Sequence, residues 1–202
     1  ELANYTFKIT SPIDIDSIYK LPQVKKQGFS LSYIKQSKDI LILSVAQNIS
    51  DAQKCKLWVS SCDKLLFVRD VLINNISNIP ISKKQLPKGI VTFTISDEND
   101  VPQAERLVYV NGTSPNININ LEKEYFKTRE KVNINLSINT KKIVNLSVAV
   151  VDSLRSYSSK LHNSNIKAYA ELETELQGPI TNINQYLGNS RIINYKRDLL
   201  LL

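Results

Sequence analysis

The side chains in this 202-residue chain that could do chemistry are few and far apart. His162 is the single histidine and so the one ordinary base for a Ser or Cys nucleophile. It sits in the polar stretch SKLHNSN, and the chain contains no Gly-x-Ser-x-Gly elbow. A surface-loop histidine is the reading those neighbours favour. Glu171, Glu173 and Glu175 fall on different faces of a helix, which suits a solvated helix better than a paired general acid and base. Five glycines, widely spaced, form no phosphate loop. In the turn DENDVPQAE, Asp97, Glu98, Asn99 and Asp100 offer oxygens of the kind Ca²⁺ takes. EF-hand spacing and its glycine are missing, and a hairpin turn using Asp and Asn for their tolerance of unusual backbone angles is the stronger account.

Cys55 and Cys62 lie in KCKLWVSSC. If residues 60–64 form a hairpin tip, Cys62 is at the tip and Cys55 well down one strand. That separation exceeds the roughly 4.4–6.8 Å between Cα atoms that a disulfide allows. With a single histidine, a zinc site of the usual Cys/His count is not expected. The Asn-x-Ser/Thr triplets at Asn48, Asn75, Asn111, Asn135 and Asn145 follow from a chain rich in Asn and Ser, and two of them fall inside expected strands. Trp58 and the tyrosines could stack on a sugar ring. Set between Leu57 and Val59 with no aromatic at alternate positions, Trp58 reads instead as core packing. No catalytic, cofactor-binding or metal-ligating residue is assigned, and no enzyme is expected.

The composition, 42% hydrophobic and 22% charged, belongs to a chain able to bury a core. A net charge of +7 permits attraction to nucleic acid or to an anionic envelope surface. The lysines occur as scattered pairs at turns (Lys25 and Lys26, Lys83 and Lys84, Lys141 and Lys142) with acidic residues between them. No arginine-rich helix or basic and aromatic ladder appears, so nucleic acid is not an expected partner. Lys35, Lys38 and Asp39 interrupt the most apolar stretch, and residues 199–202 are far short of the roughly 20 needed to span a bilayer. The chain starts at Glu1 and contains no Met, with no basic and apolar leader, as a mature or excised fragment would.

The elements around these residues are strands. Residues 86–111, LPKGIVTFTISDENDVPQAERLVYVN, read as a complete hairpin: Val91, Phe93 and Ile95 alternate with Thr92, Thr94 and Ser96, an acidic turn follows, and 107–110 return. Before it, Tyr5, Phe7 and Ile9 alternate, residues 29–34 and 40–46 form two runs, and 57–59 pair with 65–73. Residues 74–89 read as turn-rich connection. Past the turn cluster NGTSP, alternation resumes at 117–121, 132–138 and 146–150, each with one expected buried face and one wet face. At 165–177 the period changes. Asn165 caps a short helix with Ile166, Tyr169, Ala170 and Leu176 at helical spacing, and Gly178 with Pro179 ends it. The leucines at 199–202 should pack on the second half of the chain or belong to an element that continues beyond it, since exposing each costs up to about 1.5–3 kcal/mol.

The hairpin LPKGIVTFTISDENDVPQAERLVYVN is similar to a recurrent motif of large Bacteroidetes cell-envelope proteins that carry macroglobulin-like (MG2-type) β-sandwich repeats. YFKTREKVNINLSI at 125–138, NLSVAVVDS at 145–153, ELQGPITNINQYL and RDLLLL resemble further segments of that family in the same order. Asp100 stands where the family has a turn glycine, and Asn182-Ile183 replaces an Asn-Pro step. The resemblance implies a piece of a longer exported protein, whose neighbours include carboxypeptidase-regulatory-like and TonB-plug-like regions. It supplies no catalytic residues, and neither cysteine has the Cys-x-x-Gln context of thioester macroglobulins.

The expected fold is all-β: two tandem immunoglobulin-like or macroglobulin-like sandwiches, residues 1–112 and 113–202, the second with one short helix near 165–177. The expected role is a non-enzymatic structural or interaction module in the periplasm or at the cell surface, associated with the outer membrane. Its partners would be other domains of its parent or envelope proteins. A module that captures a glycan or peptide is the alternative.

Overall fold

The structure is a computed structural model that describes residues 4–9, 18–112, 116–140, 143–150, 165–176, 178 and 180–202. Short strands β1 (Thr6–Lys8) and β2 (Ile18–Lys20) pair as an antiparallel ribbon, with Phe7 stacked on Tyr19 at 4.8 Å between ring centroids. Seven longer strands follow: β3 (Phe29–Gln36), β4 (Ile40–Gln47), β5 (Gln53–Ser61), β6 (Lys64–Ile73), β7 (Ile76–Ser82), β8 (Gly89–Ser96) and β9 (Pro102–Val110). They make an antiparallel three-stranded sheet in the order β3-β4-β7 and a four-stranded sheet in the order β6-β5-β8-β9. Packed face to face, the two sheets make the protein an all-β sandwich.

Period-two alternation produces this directly. Leu41, Leu43 and Val45 of β4 point inward to meet Leu57 and Val59 of β5 and Val91, Phe93 and Ile95 of β8, all with no exposed surface. Each such side chain contributes about 1.5–3 kcal/mol by leaving water. The expected hairpin at 86–111 is β8 and β9, with Gly89 opposite Val110 and Val91 opposite Val108. Segment 74–89 differs from its reading as connection, because it contains β7, an edge strand whose Ile79 and Ile81 are buried while Pro80 is exposed. An edge position tolerates a residue without an N–H. Both terminal nitrogens of Arg69 donate to the Pro80 carbonyl, at 3.2 and 3.3 Å, and tie β6 to β7 across the sandwich edge.

Turn chemistry explains the corners. Cys62 and Asp63, with φ of 49° and 58°, form the two-residue link between β5 and β6, the mirror-image turn that suits the strand twist. Between β8 and β9 the chain uses Asp100 at φ 62°, so aspartate adopts the left-handed conformation that a glycine would take most easily.

Farther along, β10 (Ile117–Leu121) pairs with β11 (Ile134–Ile138), Ile119 opposite Leu136. The expected buried face is not realised: Ile119 is 65% and Leu136 37% exposed. A two-stranded ribbon has no second layer of its own, and no described residue supplies one. Residues 146–150, read as a strand, carry no strand assignment, and Val150 is 86% exposed.

The expected helix begins at Asn165, whose side chain accepts from the backbone N–H of Lys167 and Ala168. It is a single turn, α1 (Ile166–Ala168), that widens into a π-helical turn over Tyr169–Glu173. The widening moves its buried face to Ala168, Glu171 and Leu172, leaving Ile166 and Tyr169 exposed. A second helix that the apolar spacing did not announce, α2 (Arg191–Leu200), is capped by the Ser190 hydroxyl, which accepts from Ile193 N. Of the terminal leucines, Leu201 is buried, while Leu199 and Leu202 are 51% and 85% exposed.

These C-terminal elements pack on the outer surface of the four-stranded sheet. Ile90 and Tyr109, which face away from the main core, form a second cluster with Ala168, Leu172, Ile183 and Leu201. Residues on both sides of position 112 therefore share one apolar contact. Gly89 faces the Glu171 backbone from a φ of 109°, a conformation that glycine takes freely, while a Cβ there would make only ordinary contact at 3.4 Å.

Candidate functional site

The residues singled out from sequence are spent on structure. The Asp97 carboxylate accepts from Asn99 N at 2.9 Å, Val101 N at 3.0 Å and Gln103 Nε2 at 2.9 Å, so it caps the turn from inside. Asp100 pairs with Lys56 at 2.6 Å across to β5. Among the described residues no group of three His, Cys, Asp or Glu side chains could hold a metal ion. Cys55 is buried and Cys62 exposed, and both thiols are free. His162 lies outside the described residues. Trp58 is not in the core. Strand parity turns it to the outer face of β5, half-buried between Val68 and Thr94, where its indole N–H donates to the Ser96 hydroxyl at 2.8 Å.

Where α1 and α2 meet the sheet, the structure assembles a buried polar seam that sequence reading did not find. Glu171, taken from sequence as solvated, is 8% exposed. It accepts a hydrogen bond from the Tyr109 hydroxyl and pairs with Lys88 Nζ at 2.6 Å. The Arg197 guanidinium lies 3.7 Å above the Tyr109 ring, a cation–π contact, and its Nη2 donates to Asn111 Oδ1 at 2.8 Å and to Asn194. Arg106 donates to the Leu201 carbonyl at 2.9 Å and to the Asp198 carboxylate at 2.5 Å, which fixes the end of α2.

Burial, then the Glu171 carboxylate, hold the Tyr109 hydroxyl well above the ordinary tyrosine range, while Arg197 offsets part of that rise. Burial also lowers Arg197 from its usual value, against the opposing pull of Tyr109 and Glu171. Arg197 Nε and Nη1 have no partner among the described residues. The same guanidinium borders a cavity of about 20 Å³ shared with Tyr33, Gln36 and Asp198, room for a single water. Lys88 with Glu171 and Arg106 with Asp198 are matched as ion pairs, Arg197 rests on the Tyr109 ring, and among the described residues the seam holds no nucleophile with an adjacent base.

Beside the seam, at one end of the sandwich, runs an open groove of about 690 Å³. Its walls are the β3–β4 turn, with Ser37, Lys38 and Asp39, and the 83–88 segment, with Lys83, Lys84 and Lys88. Its floor is Leu86 and Val110. The two walls are tied together, because Lys83 donates from its backbone N to the Asp39 carbonyl at 2.8 Å and from Nζ to the Ser37 carbonyl at 3.1 Å. Burial lowers the Lys83 pKa, with Asp39 offsetting part of the effect. The Gln36 side chain bridges β3 to the end of β9, donating to the Tyr109 carbonyl and accepting from Asn111 N, both at 2.8 Å.

The groove gathers lysines that the sequence shows as scattered pairs: among the described residues Lys38, Lys83, Lys84 and Lys88 line one concavity with Asp39, and Lys88 is already balanced by Glu171. Lys83, Lys84 and Lys88 share one segment, but only the fold adds Lys38. A cleft of one sign of charge focuses the field and draws in an anion. By contrast, the cavity of about 590 Å³ beside Cys55 and Leu72 has Lys54 and Lys56 balanced by Asp70 and Glu98. No helix among the described residues is long and apolar enough to cross a membrane. No protein-family model matches this chain, and no curated protein matches it.

Proposed function

We propose that this chain is a non-enzymatic structural and interaction module of an exported, outer-membrane-associated bacterial protein, with a macroglobulin-like sandwich formed by β3 to β9. The observation that carries the reading is the hairpin β8–β9. Its sequence bears the family-like motif, and its strands complete the four-stranded sheet of a β-sandwich. Among the described residues the polar side chains are used for turns and seams and none is arranged as a nucleophile and base, which fits a binding or scaffolding role. Fractionating cells that express the full-length protein tests it. Recovery with the outer membrane or at the surface is the expected outcome, and recovery solely in the cytosol overturns it.

A second reading, capture of a glycan or peptide at the cell surface, draws support from the lysine-lined groove. Its polar walls and small apolar floor fall within the roughly 300–1,000 Å³ of ordinary ligand sites. Screening the protein against polysaccharides and unfolded peptides separates the two readings. Uniform absence of binding leaves the scaffold reading alone.

A further inference from the structure

We infer that the groove between the β3–β4 turn and the 83–88 segment is a binding site for an acidic polysaccharide, held by Lys38 and Lys84 with Lys83 and Lys88 behind them. The inference rests on the ligand-capture reading and names the ligand class for it. Charge is the first reason. Lys38, Lys83, Lys84 and Lys88 converge on one concavity, and Asp39 is the sole acidic lining residue among the described residues. The outer two, Lys38 and Lys84, are exposed and can reach a ligand. The inner two are positioned by the protein: Lys83 is anchored on the Ser37 carbonyl and Lys88 on Glu171. An anion entering the groove thus meets the exposed charges of Lys38 and Lys84 above that of Lys83, while Glu171 already balances Lys88.

The lining also selects among polyanions. Single-stranded nucleic acid is held by aromatic stacking and by arginine forks on phosphate, and among the described residues neither an aromatic residue nor an arginine lines this groove. An extended peptide would need a strand edge to pair with. Here the walls are turns and strand ends, and the Gln36 amide already occupies the backbone groups of Tyr109 and Asn111 on that side. A sugar chain needs neither. An apolar ring face can rest on the partly exposed Leu86, its hydroxyls can meet Asn189 and Ser37 on the rim, and its acidic groups can meet the lysines. The rigidity of the site favours binding, since the ties between Lys83 and the β3–β4 turn set both walls before a ligand arrives.

The test is calorimetric titration of the full 202-residue chain with polygalacturonate, neutral dextran and oligo-dT of matched length at two salt concentrations. Three proteins are compared: the unsubstituted chain, a Lys38→Gln/Lys84→Gln variant, and a Lys25→Gln/Lys26→Gln control that removes the same charge elsewhere. All four substituted lysines are exposed, so the variants should fold, and circular dichroism checks that they do. The expected result is salt-sensitive binding of polygalacturonate, stronger than that of dextran or oligo-dT. The groove variant should lose affinity by about tenfold or more and the control by less than about twofold. Equal loss in both variants, tighter binding of oligo-dT, or no polygalacturonate binding each overturns the inference. Binding of dextran that ignores the groove variant overturns it while leaving the ligand-capture reading standing.

Discussion

At the scale of single residues, the structure turns on groups whose partners are distant in sequence. Nothing around Glu171 in AYAELETEL says that it will be buried, because Lys88 and Tyr109 reach it only once α1 lies on the sheet. Arg197 was equally illegible, a charge in a helix whose target ring arrives from β9. The cysteines were easier: a strand and its turn follow from local pattern, and with them the placement of Cys55 and Cys62. A thiol reagent should therefore modify Cys62 rapidly in the native protein and Cys55 only after denaturation, which a timed colorimetric titration measures. The titration of Tyr109 gives a second expectation. Its hydroxyl keeps its proton when folded, while in the unfolded chain it loses it near pH 10. Above that pH the unfolded state binds fewer protons than the folded one, so stability falls as pH rises. Burial raises Cys55 as well, adding a loss of the same sign from about pH 8.5. Denaturant midpoints should drop between about pH 9 and about pH 11, with a shallower slope in Tyr109→Phe than in the unsubstituted protein.

At the scale of elements, alternation was a sufficient guide wherever a second sheet exists to bury one face. β3, β4, β5, β8 and β9 all lie where alternating apolar residues placed them. The same pattern at 117–121 and 132–138 marked the strands that become β10 and β11 but not a buried face, because alternation states which side could be covered and not what covers it. β7 was hidden by its Asn, Ser and Pro residues, which look like loop but occupy the exposed side of an edge strand. In α1 the π-helical turn shifted the phase, so a fixed helical period chose the wrong face. The β8–β9 turn offers a paired test. Asp97→Ala removes an acceptor of three hydrogen bonds and should cost about 1–3 kcal/mol. Asp100→Gly relieves a left-handed backbone and loses only an exposed pair with Lys56, so it should be neutral or stabilising by up to about 1 kcal/mol. Equal destabilisation by the two in urea unfolding would mean that the backbone at Asp100 is not strained.

For the molecule as a whole, two apolar layers share the four-stranded sheet: the sandwich interior on one side, and the cluster of Ile90, Tyr109, Leu172 and Leu201 on the other. The sequence announced the first through periodicity. It announced the second only as a need, in leucines too apolar to leave in water, without saying which surface would meet them. The layers should differ in stability, because the outer one is smaller and is held by a short, irregular segment. Leu172→Ala, at a fully buried position, should cost about 2–5 kcal/mol locally. By hydrogen exchange, it should release α2 while β4, β5 and β8 keep their protection. Uniform loss of protection across both layers would show instead that they unfold as one unit.

The Gln36 amide has a mechanical meaning. β9 is an edge strand held to β8 by a ladder that a pull on the chain after Asn111 would open like a zipper, one rung at a time. Gln36 grips that strand from the opposite sheet at the place where the pull arrives, through Tyr109 O and Asn111 N. Tension along the polypeptide is thereby shared between both sheets before the first rung can part, and the sandwich resists as a body where a lone hairpin would peel.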